Sequence, residues 1–236
     1  MSAKTGRLRW TAAAIGRWIR SAPITYSWLV VLLVTTVVQH RVSPRRLERI
    51  LGHRSTNIEN LLHDPLRAIF GSLFWLDGAY WLPYLIGFTI FLATAERWLG
   101  AWRFVAVGLA GHLLATLISQ GLVGAAIDRG RANPSLAYAV DVGVSYFMAA
   151  IIGVLAYRLS GRWRWGYLAG CAVVFLAPLF VPPVTFTDIG HASALLIGVA
   201  MHPIVRGRPT LDVDAVIRSA RQRLRSSLPT VRHRNS

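Results

Sequence analysis

The sequence predicts an all-α membrane protein with six transmembrane helices, and its composition and the spacing of its apolar runs support this prediction. Hydrophobic residues make up 54% of the 236 residues, and charged residues make up 15%, against roughly 25% in soluble domains. The apolar residues collect in runs of roughly 17–26, the length of a helix that crosses about 30 Å of hydrocarbon. The composition excludes a disordered chain and a soluble binding module. The single cysteine, Cys171, excludes a disulfide-stabilised scaffold.

Six stretches carry no charge or almost none, with Asp141 interrupting the fourth and Asp188 separating the fifth from the sixth. Six spans place both termini on one side of the membrane. Cytoplasmic termini leave 18 basic residues in the inner segments and 8 in the outer loops. The positive-inside rule therefore predicts a multi-pass cell-membrane protein with both termini in the cytoplasm. The stretches are residues 22–39, 78–95, 104–127, 132–157, 165–187 and 189–205.

The chain is expected to divide into a basic amphipathic cytoplasmic segment (1–21), a six-span membrane domain (22–205) and a basic cytoplasmic tail (206–236). In both terminal parts, apolar residues repeat at helical spacing among arginines, as in helices that lie on a membrane surface. We therefore expect anionic lipids to bind the basic termini, with a solvated tail as the alternative for the C-terminal part. The net charge of +16 does not indicate nucleic acid, because the arginines form no stripe with interleaved aromatic residues.

The first outer loop is long, covering residues 41–77, and its apolar part at 66–76 is too short to span a bilayer. We expect this part to dip into the membrane interface. The remaining outer loops are short.

Polar side chains inside the spans are the candidate functional residues, because an unpaired charge costs several kcal/mol there. Ser145 and His191 have priority because small residues recur every four positions beside each of them. Such seams allow close helix approach, which a short serine needs to reach a histidine at about 2.6–3.2 Å. Seams that face each other would create a buried Ser–His pair, and seams used only for packing are the alternative. The seams are Ser145, Ala149 and Gly153 in the fourth stretch, and Gly190, Ala194 and Gly198 in the sixth.

Three other polar residues lie in the stretches. Asp141, four residues before Ser145, is expected on the same helical face, where it could orient a partner or tune a pKa; a structural hydrogen bond is the alternative. His112 and His202 are interpreted as structural. The sequence has no metal-binding or nucleotide-binding motif, so no cofactor is expected.

Residues 60–205 resemble the rhomboid family of intramembrane serine proteases. Glu96-Arg-Trp-Leu-Gly100 is similar to the E-x-x-x-G signature that closes the second span of that family. Gly143-Val-Ser145-Tyr146 resembles the G-x-S-G segment of span four. Gly190-His191, with Gly198 seven residues beyond the histidine, resembles the A-H-x-x-G segment of span six.

The resemblance implies a Ser–His dyad that cleaves transmembrane protein substrates. Ser145 would be the nucleophile and His191 the general base. Gly143 would belong to the oxyanion region, with Asp141 as a possible contributor. Tyr80 and Tyr84 stand where the family usually carries the histidine and asparagine that stabilise the oxyanion, and Tyr146 replaces the glycine after the nucleophile.

Three hypotheses about function therefore remain. The first is an active rhomboid-like protease, because both dyad residues stand at matching places. The second is a pseudoprotease that binds membrane-protein clients without cutting them, which the three tyrosine replacements favour. The third is an unrelated membrane protein such as a carrier. A carrier predicts internal repeats and ionisable residues near the midplane, whereas this sequence has no repeat and its ionisable residues lie mostly at the outer end.

Overall fold

The computed structural model describes residues 14–227, which are helical and contain no β-strand. The first helix, α1, is described over residues 14–20. The other helices are α2 Pro23–Arg41, α3 Pro44–Arg54, α4 Ile58–His63, α5 Pro65–Ser72, α6 Trp81–Gly87, α7 Ala93–Leu99, α8 Ala101–Asp128, α9 Val144–Leu155, α10 Gly161–Leu176, α11 Phe186–Ala200, α12 His202–Val205 and α13 Val213–Ser227. A π-helical turn, Phe88–Leu92, joins α6 to α7, and 3₁₀ turns lie at Asp77–Ala79, Pro134–Tyr138, Ala156–Arg158 and Ala177–Phe180.

Three helical segments between residues 14 and 227 are long and apolar enough to cross a membrane: Pro23–Arg41, Ala101–Asp128 and Gly161–Phe180. The segments Pro65–Ala79 and Trp81–Leu99 meet at a bend of 116° and would make a fourth span together. The helices α9 and α11 are apolar but shorter. The fold is therefore an all-helical membrane protein with three to four candidate spans by length. The count of six spans and the cytoplasmic position of the termini stay predictions.

The start of the fourth predicted stretch is wrong. Residues 132–143 form a 3₁₀ turn and an extended segment, and α9 begins only at Val144. Two features keep this segment out of a helix. The Asn133 side chain accepts from the Ser135 backbone N–H at 2.9 Å, and the backbone of Asp141 bonds to the loop between α3 and α4. Asp141 therefore precedes the helix, and the expectation that it shares a helical face with Ser145 is wrong.

The centre of the fold is the packing of α8, α9 and α11, which α2 joins through aromatic residues. Trp28 of α2 meets Phe147 of α9 edge to face, with ring centroids 4.8 Å apart. The Trp28 indole also donates to the Leu73 carbonyl at 2.8 Å, and Gln39 donates to the Leu76 carbonyl at 2.8 Å. The end of the long loop is therefore fixed to α2, with Leu73 and Leu76 buried in the core.

Glu96 begins the E-x-x-x-G motif and stabilises the first turn of α2. Its buried carboxylate accepts from the backbone N–H groups of Ile24 at 2.9 Å and Thr25 at 2.8 Å, and from the Thr25 hydroxyl at 2.7 Å. These donors belong to the helix N-terminus, where a negative charge is favourable. The glycine of the motif, Gly100, has φ +79° and turns the chain between α7 and α8.

The segment after α12 is fixed to the end of the bundle where α9 ends and α10 begins. Leu211 pairs with Leu159 in an isolated bridge, and its N–H donates to the Arg158 carbonyl at 2.6 Å. Asp214 of α13 accepts from Arg162 at 2.7 Å and from the Trp163 indole at 3.1 Å. The predicted surface segments at 1–21 and 206–236 lie partly outside the described residues, at 1–13 and 228–236.

Candidate functional site

The two helices that carry Ser145 and His191 approach each other to backbone contact. A Cβ atom built on Gly198 of α11 would lie 2.0 Å from the Ala150 carbonyl oxygen of α9. A Cβ atom built on Gly153 would lie 2.3 Å from the Leu195 carbonyl oxygen. Real Cβ atoms do not approach a backbone oxygen so closely, so only glycine fits at either position. The predicted close approach of α9 and α11 is confirmed.

The interface shares Gly153 with the predicted seam of α9 but is rotated toward Tyr146 and Ala150. Tyr146 packs against α11, and a Cβ atom on Gly190 would lie 2.3 Å from its Cζ atom. Residues 146, 150 and 153 thus contact α11, at the i, i+4, i+7 spacing of one helical face. Because successive residues differ by about 100° around a helix, Ser145 lies off the centre of this face.

Tyr146 is fully buried and lies between two histidines. Its ring meets the His191 ring edge to face, with centroids 5.3 Å apart, and lies 6.4 Å from the His112 ring. Its hydroxyl lies near Asp141, Ser119 and Thr187 but forms no hydrogen bond within residues 14–227. The side chain therefore fills the junction of α8, α9 and α11 as a packing residue with an unpaired polar tip.

Ser145 and His191 are both partly buried. Within the described part of the chain, neither side chain makes a hydrogen bond, so the Ser–His bond of a dyad is not formed. The His191 ring instead faces aromatic rings, that of Tyr146 and that of Phe175, whose centroid is 6.2 Å away. The dyad stays a prediction that rests on the position of these residues on neighbouring helices.

His112 lies directly over Gly143. A Cβ atom on Gly143 would lie 1.9 Å from the His112 Cε1 atom, so the glycine leaves the space that the imidazole fills. His112 Nε2 lies 3.0 Å from the Ile69 carbonyl oxygen, while Nδ1 is buried without a partner among the described residues. The sequence predicts a structural role for His112 and an oxyanion role for Gly143, and it does not predict that the two residues are in contact. The only signal for their contact is that each lies in an apolar stretch beside small residues.

Asp141 connects the long loop to α8 and to the start of α9. Its backbone N–H donates to the Ser55 hydroxyl at 2.7 Å, and its carbonyl accepts from the Thr56 N–H at 2.9 Å. Its carboxylate accepts from the Gln120 amide of α8 at 3.0 Å. These bonds give Asp141 a structural role, the alternative that the sequence left open.

The two tyrosines expected near an oxyanion take different positions. Tyr80 is 71% exposed, ahead of α6. Tyr84 packs beside Phe88, with ring centroids 6.3 Å apart. Neither hydroxyl makes a hydrogen bond within residues 14–227, and their predicted role in an oxyanion site stays untested.

No group of three or more His, Cys, Asp or Glu side chains that could hold a metal occurs among residues 14–227.

The comparison with known proteins gives one result. No curated protein and no solved structure matches the chain. A family model described as rhomboid-like protein matches residues 17–211. This match includes Glu96, Ser145 and His191 and all helices from α2 to α12. The chain therefore belongs to the rhomboid-like protein family.

Proposed function

We propose that this rhomboid-like membrane protein binds a transmembrane segment of a client protein without cleaving it. The observation that carries the proposal is the position of Tyr146. Its ring fills the space between α9 and α11, lies against Gly190 and faces the His191 ring, while Ser145 and His191 form no hydrogen bond. A serine becomes a nucleophile when a base lies within about 2.6–3.2 Å of its hydroxyl.

The residues around Ser145 and His191 also favour client binding over cleavage. In place of the small residue that the family usually carries after the nucleophile, this chain has a fully buried tyrosine. Tyr80 is 71% exposed, which disfavours a role as a buried oxyanion donor, and losing one such donor typically costs about 2.7–4 kcal/mol of transition-state stabilisation. His112 occupies the space beside Gly143.

An apolar groove between α2 and α8 offers a place for a client helix. Its volume is about 560 Å³, and its ten lining residues include Trp28 and Phe147 in the floor and Val31 and Phe74 at the rim. Val31 and Phe74 are each 41% exposed, although both are apolar. Because α2 and α8 are candidate spans, this groove would face the bilayer, where a transmembrane segment could enter sideways.

The second candidate function is the Ser–His protease, which cleaves transmembrane substrates with Ser145 as nucleophile and His191 as base. The close packing of α9 and α11 favours it, because His191 contacts the residue that directly follows Ser145. Catalytic hydrogen bonds are often long without substrate and tighten when it binds.

Fluorophosphonate labelling of the full chain in mild detergent separates the two functions. A client-binding protein gives no more labelling than Ser145→Ala or His191→Ala. Labelling that is lost in both variants would establish an activated serine and would overturn the first proposal.

Client binding is tested by photo-crosslinking in native membranes. A benzophenone amino acid at Val31 lies in the groove, and the same group at Val30, 61% exposed but outside the groove, is the matched control. We expect crosslinks to membrane proteins at Val31 and not at Val30, unchanged by Ser145→Ala. Equal crosslinking at both positions, or none at Val31, would contradict client binding in the groove.

A further inference from the structure

A second cavity lies at the end of the bundle where α2, α8 and α10 begin. It has a volume of about 340 Å³ and is lined by Arg97, Trp98, Arg158, Pro209, Thr210 and Leu211. Arg97 belongs to α7, and Arg158 belongs to the turn after α9. The segment after α12 closes one side, because the Trp98 indole donates to the Pro209 carbonyl at 2.8 Å. Two half-buried arginines, Arg97 and Arg158, thus line the cavity.

Neither guanidinium has a carboxylate partner in the described part of the chain. The ion pairs there join Glu59, Asp212 and Asp214 to other cations. Glu96, the acidic neighbour of Arg97, directs its carboxylate to the first turn of α2.

Each guanidinium is held in place but keeps donors for a further ligand. Arg97 stacks on Trp18, with Cζ 3.6 Å from the ring centroid, and donates Nε to the Ser21 hydroxyl at 2.6 Å and Nη2 to the Trp18 carbonyl at 3.3 Å, which leaves three of its five N–H donors. Arg158 donates Nη1 to the Thr94 carbonyl at 3.2 Å. A guanidinium has five N–H donors in a planar arrangement that matches phosphate oxygens.

The surroundings place the cavity at the level of lipid headgroups. The candidate spans that begin at Ala101 and Gly161 start beside it. Trp102 and Trp163 lie in the first turns of these helices, as tryptophans do at membrane interfaces. Basic pockets between helices at a membrane surface bind the headgroups of anionic lipids.

We propose that Arg97 and Arg158 bind the phosphate of an anionic phospholipid in this cavity. The lipid would supply a negative charge to these two guanidinium groups, and it would join α7, the end of α9 and the segment after α12. This site is distinct from the groove between α2 and α8 and does not depend on client binding or on proteolysis.

The test is a titration of the full chain in dodecyl maltoside, with native mass spectrometry measuring the fraction of protein that has bound each probe. The probes are dioctanoyl phosphatidylglycerol, dioctanoyl phosphatidylcholine and inorganic phosphate. We expect phosphatidylglycerol to bind most tightly, with affinity at least tenfold lower in Arg97→Gln and Arg158→Gln. Arg103→Gln, at the same end but outside the cavity, is the matched control and should lose less than about fivefold, the effect of one surface charge.

Several outcomes would contradict the proposal that Arg97 and Arg158 bind an anionic phospholipid. Equal losses in all three variants would mean that lipid is attracted by diffuse charge only. If phosphatidylcholine binds as tightly as phosphatidylglycerol, the cavity does not recognise the negative charge of the lipid. If inorganic phosphate binds as tightly as phosphatidylglycerol, the cavity is a site for a free anion.

A second measurement needs no variant and covers the case in which a substitution disturbs folding. Phenylglyoxal modifies accessible arginines, and mass spectrometry locates the modified residues. Phosphatidylglycerol should protect Arg97 and Arg158 but leave Arg103 as reactive as before. Protection of all three, or of none, would contradict the proposal.

Discussion

Gly198→Ala tests whether backbone contact between α9 and α11 holds the bundle together. The new Cβ would lie 2.0 Å from the Ala150 carbonyl oxygen, whereas ordinary contact begins at 3.4 Å. The helices would have to separate by up to about 1.4 Å, and a gap of about 0.5–1 Å already removes a quarter to a half of each dispersion contact. Overpacking of this kind costs about 1–3 kcal/mol, and a rigid carbonyl places this site near the upper end. Because alanine has a higher helix propensity than glycine, the substitution also stabilises α11 by about 1 kcal/mol.

The net loss of stability is therefore about 2 kcal/mol, or a Tm about 4–8 °C lower for a chain of this size. The assay is thermal unfolding in detergent with a thiol-reactive fluorescent dye, because Cys171 is the only cysteine and is buried. Gly170→Ala in α10 is the matched control, since its Cβ would have nothing within 4 Å. We expect the control to unfold at or slightly above the wild-type temperature. A Gly198→Ala protein as stable as the control would refute the assigned packing.

Three further predictions concern single side chains. Tyr146→Phe should keep or raise the Tm in the same thiol assay, because it removes a buried hydroxyl without a described partner, whereas Tyr146→Ala should cost about 3–5 kcal/mol. Glu96→Gln should lower the stability of the chain by about 1–3 kcal/mol, since the charged acceptor at the start of α2 is lost. Glu59→Gln, in the first turn of α4 with its side chain 42% exposed, is the control. Hydrogen bonds from Trp163 and Arg162 hold the pKa of Asp214 below its ordinary value. The contact of α13 with α10 should therefore persist at neutral pH and be lost as pH falls through that lowered pKa. Hydrogen exchange of α13 should increase over that range, and Asp214→Asn should show fast exchange at every pH.

Each of the six apolar stretches contains a helix, as their length predicts, but the division of the fifth from the sixth at Asp188 is wrong, because Asp188 lies in the first turn of α11. The start of α9 could not be predicted, because residues 132–143 are almost as apolar as a span. What keeps them from forming a helix is the bonding of Asp141 to Ser55 and Thr56, more than 80 positions earlier. Asn133 and Pro134 are turn signals, and they were the only local warning.

The packing of α9 against α11 was predicted only in part, because it also depends on residues far apart in the sequence. The small residues of α11 correctly indicate close packing, since Gly190 and Gly198 both contact α9. The predicted seam of α9 includes Gly153, which does contact α11, but it omits Tyr146, because a pattern of small residues passes over tyrosine. A large ring fits at a close helix crossing only when the opposite helix offers a glycine. That pairing of Tyr146 with Gly190 depends on the relative rotation of two helices, which no local pattern specifies.

The contact between Glu96 and α2 has a consequence for how the protein is made. The buried amide of Thr25 finds its acceptor 71 positions later in the chain. While the ribosome is still producing the intervening loop, the first turn of α2 has no carboxylate beside it. Until Glu96 is made, water at the membrane surface is the acceptor for this amide, so the first turn of α2 should become buried only when the second hydrophobic segment packs against it. A nascent chain that ends before residue 96 should therefore exchange the Thr25 amide rapidly with solvent, whereas a chain that includes α7 should protect it.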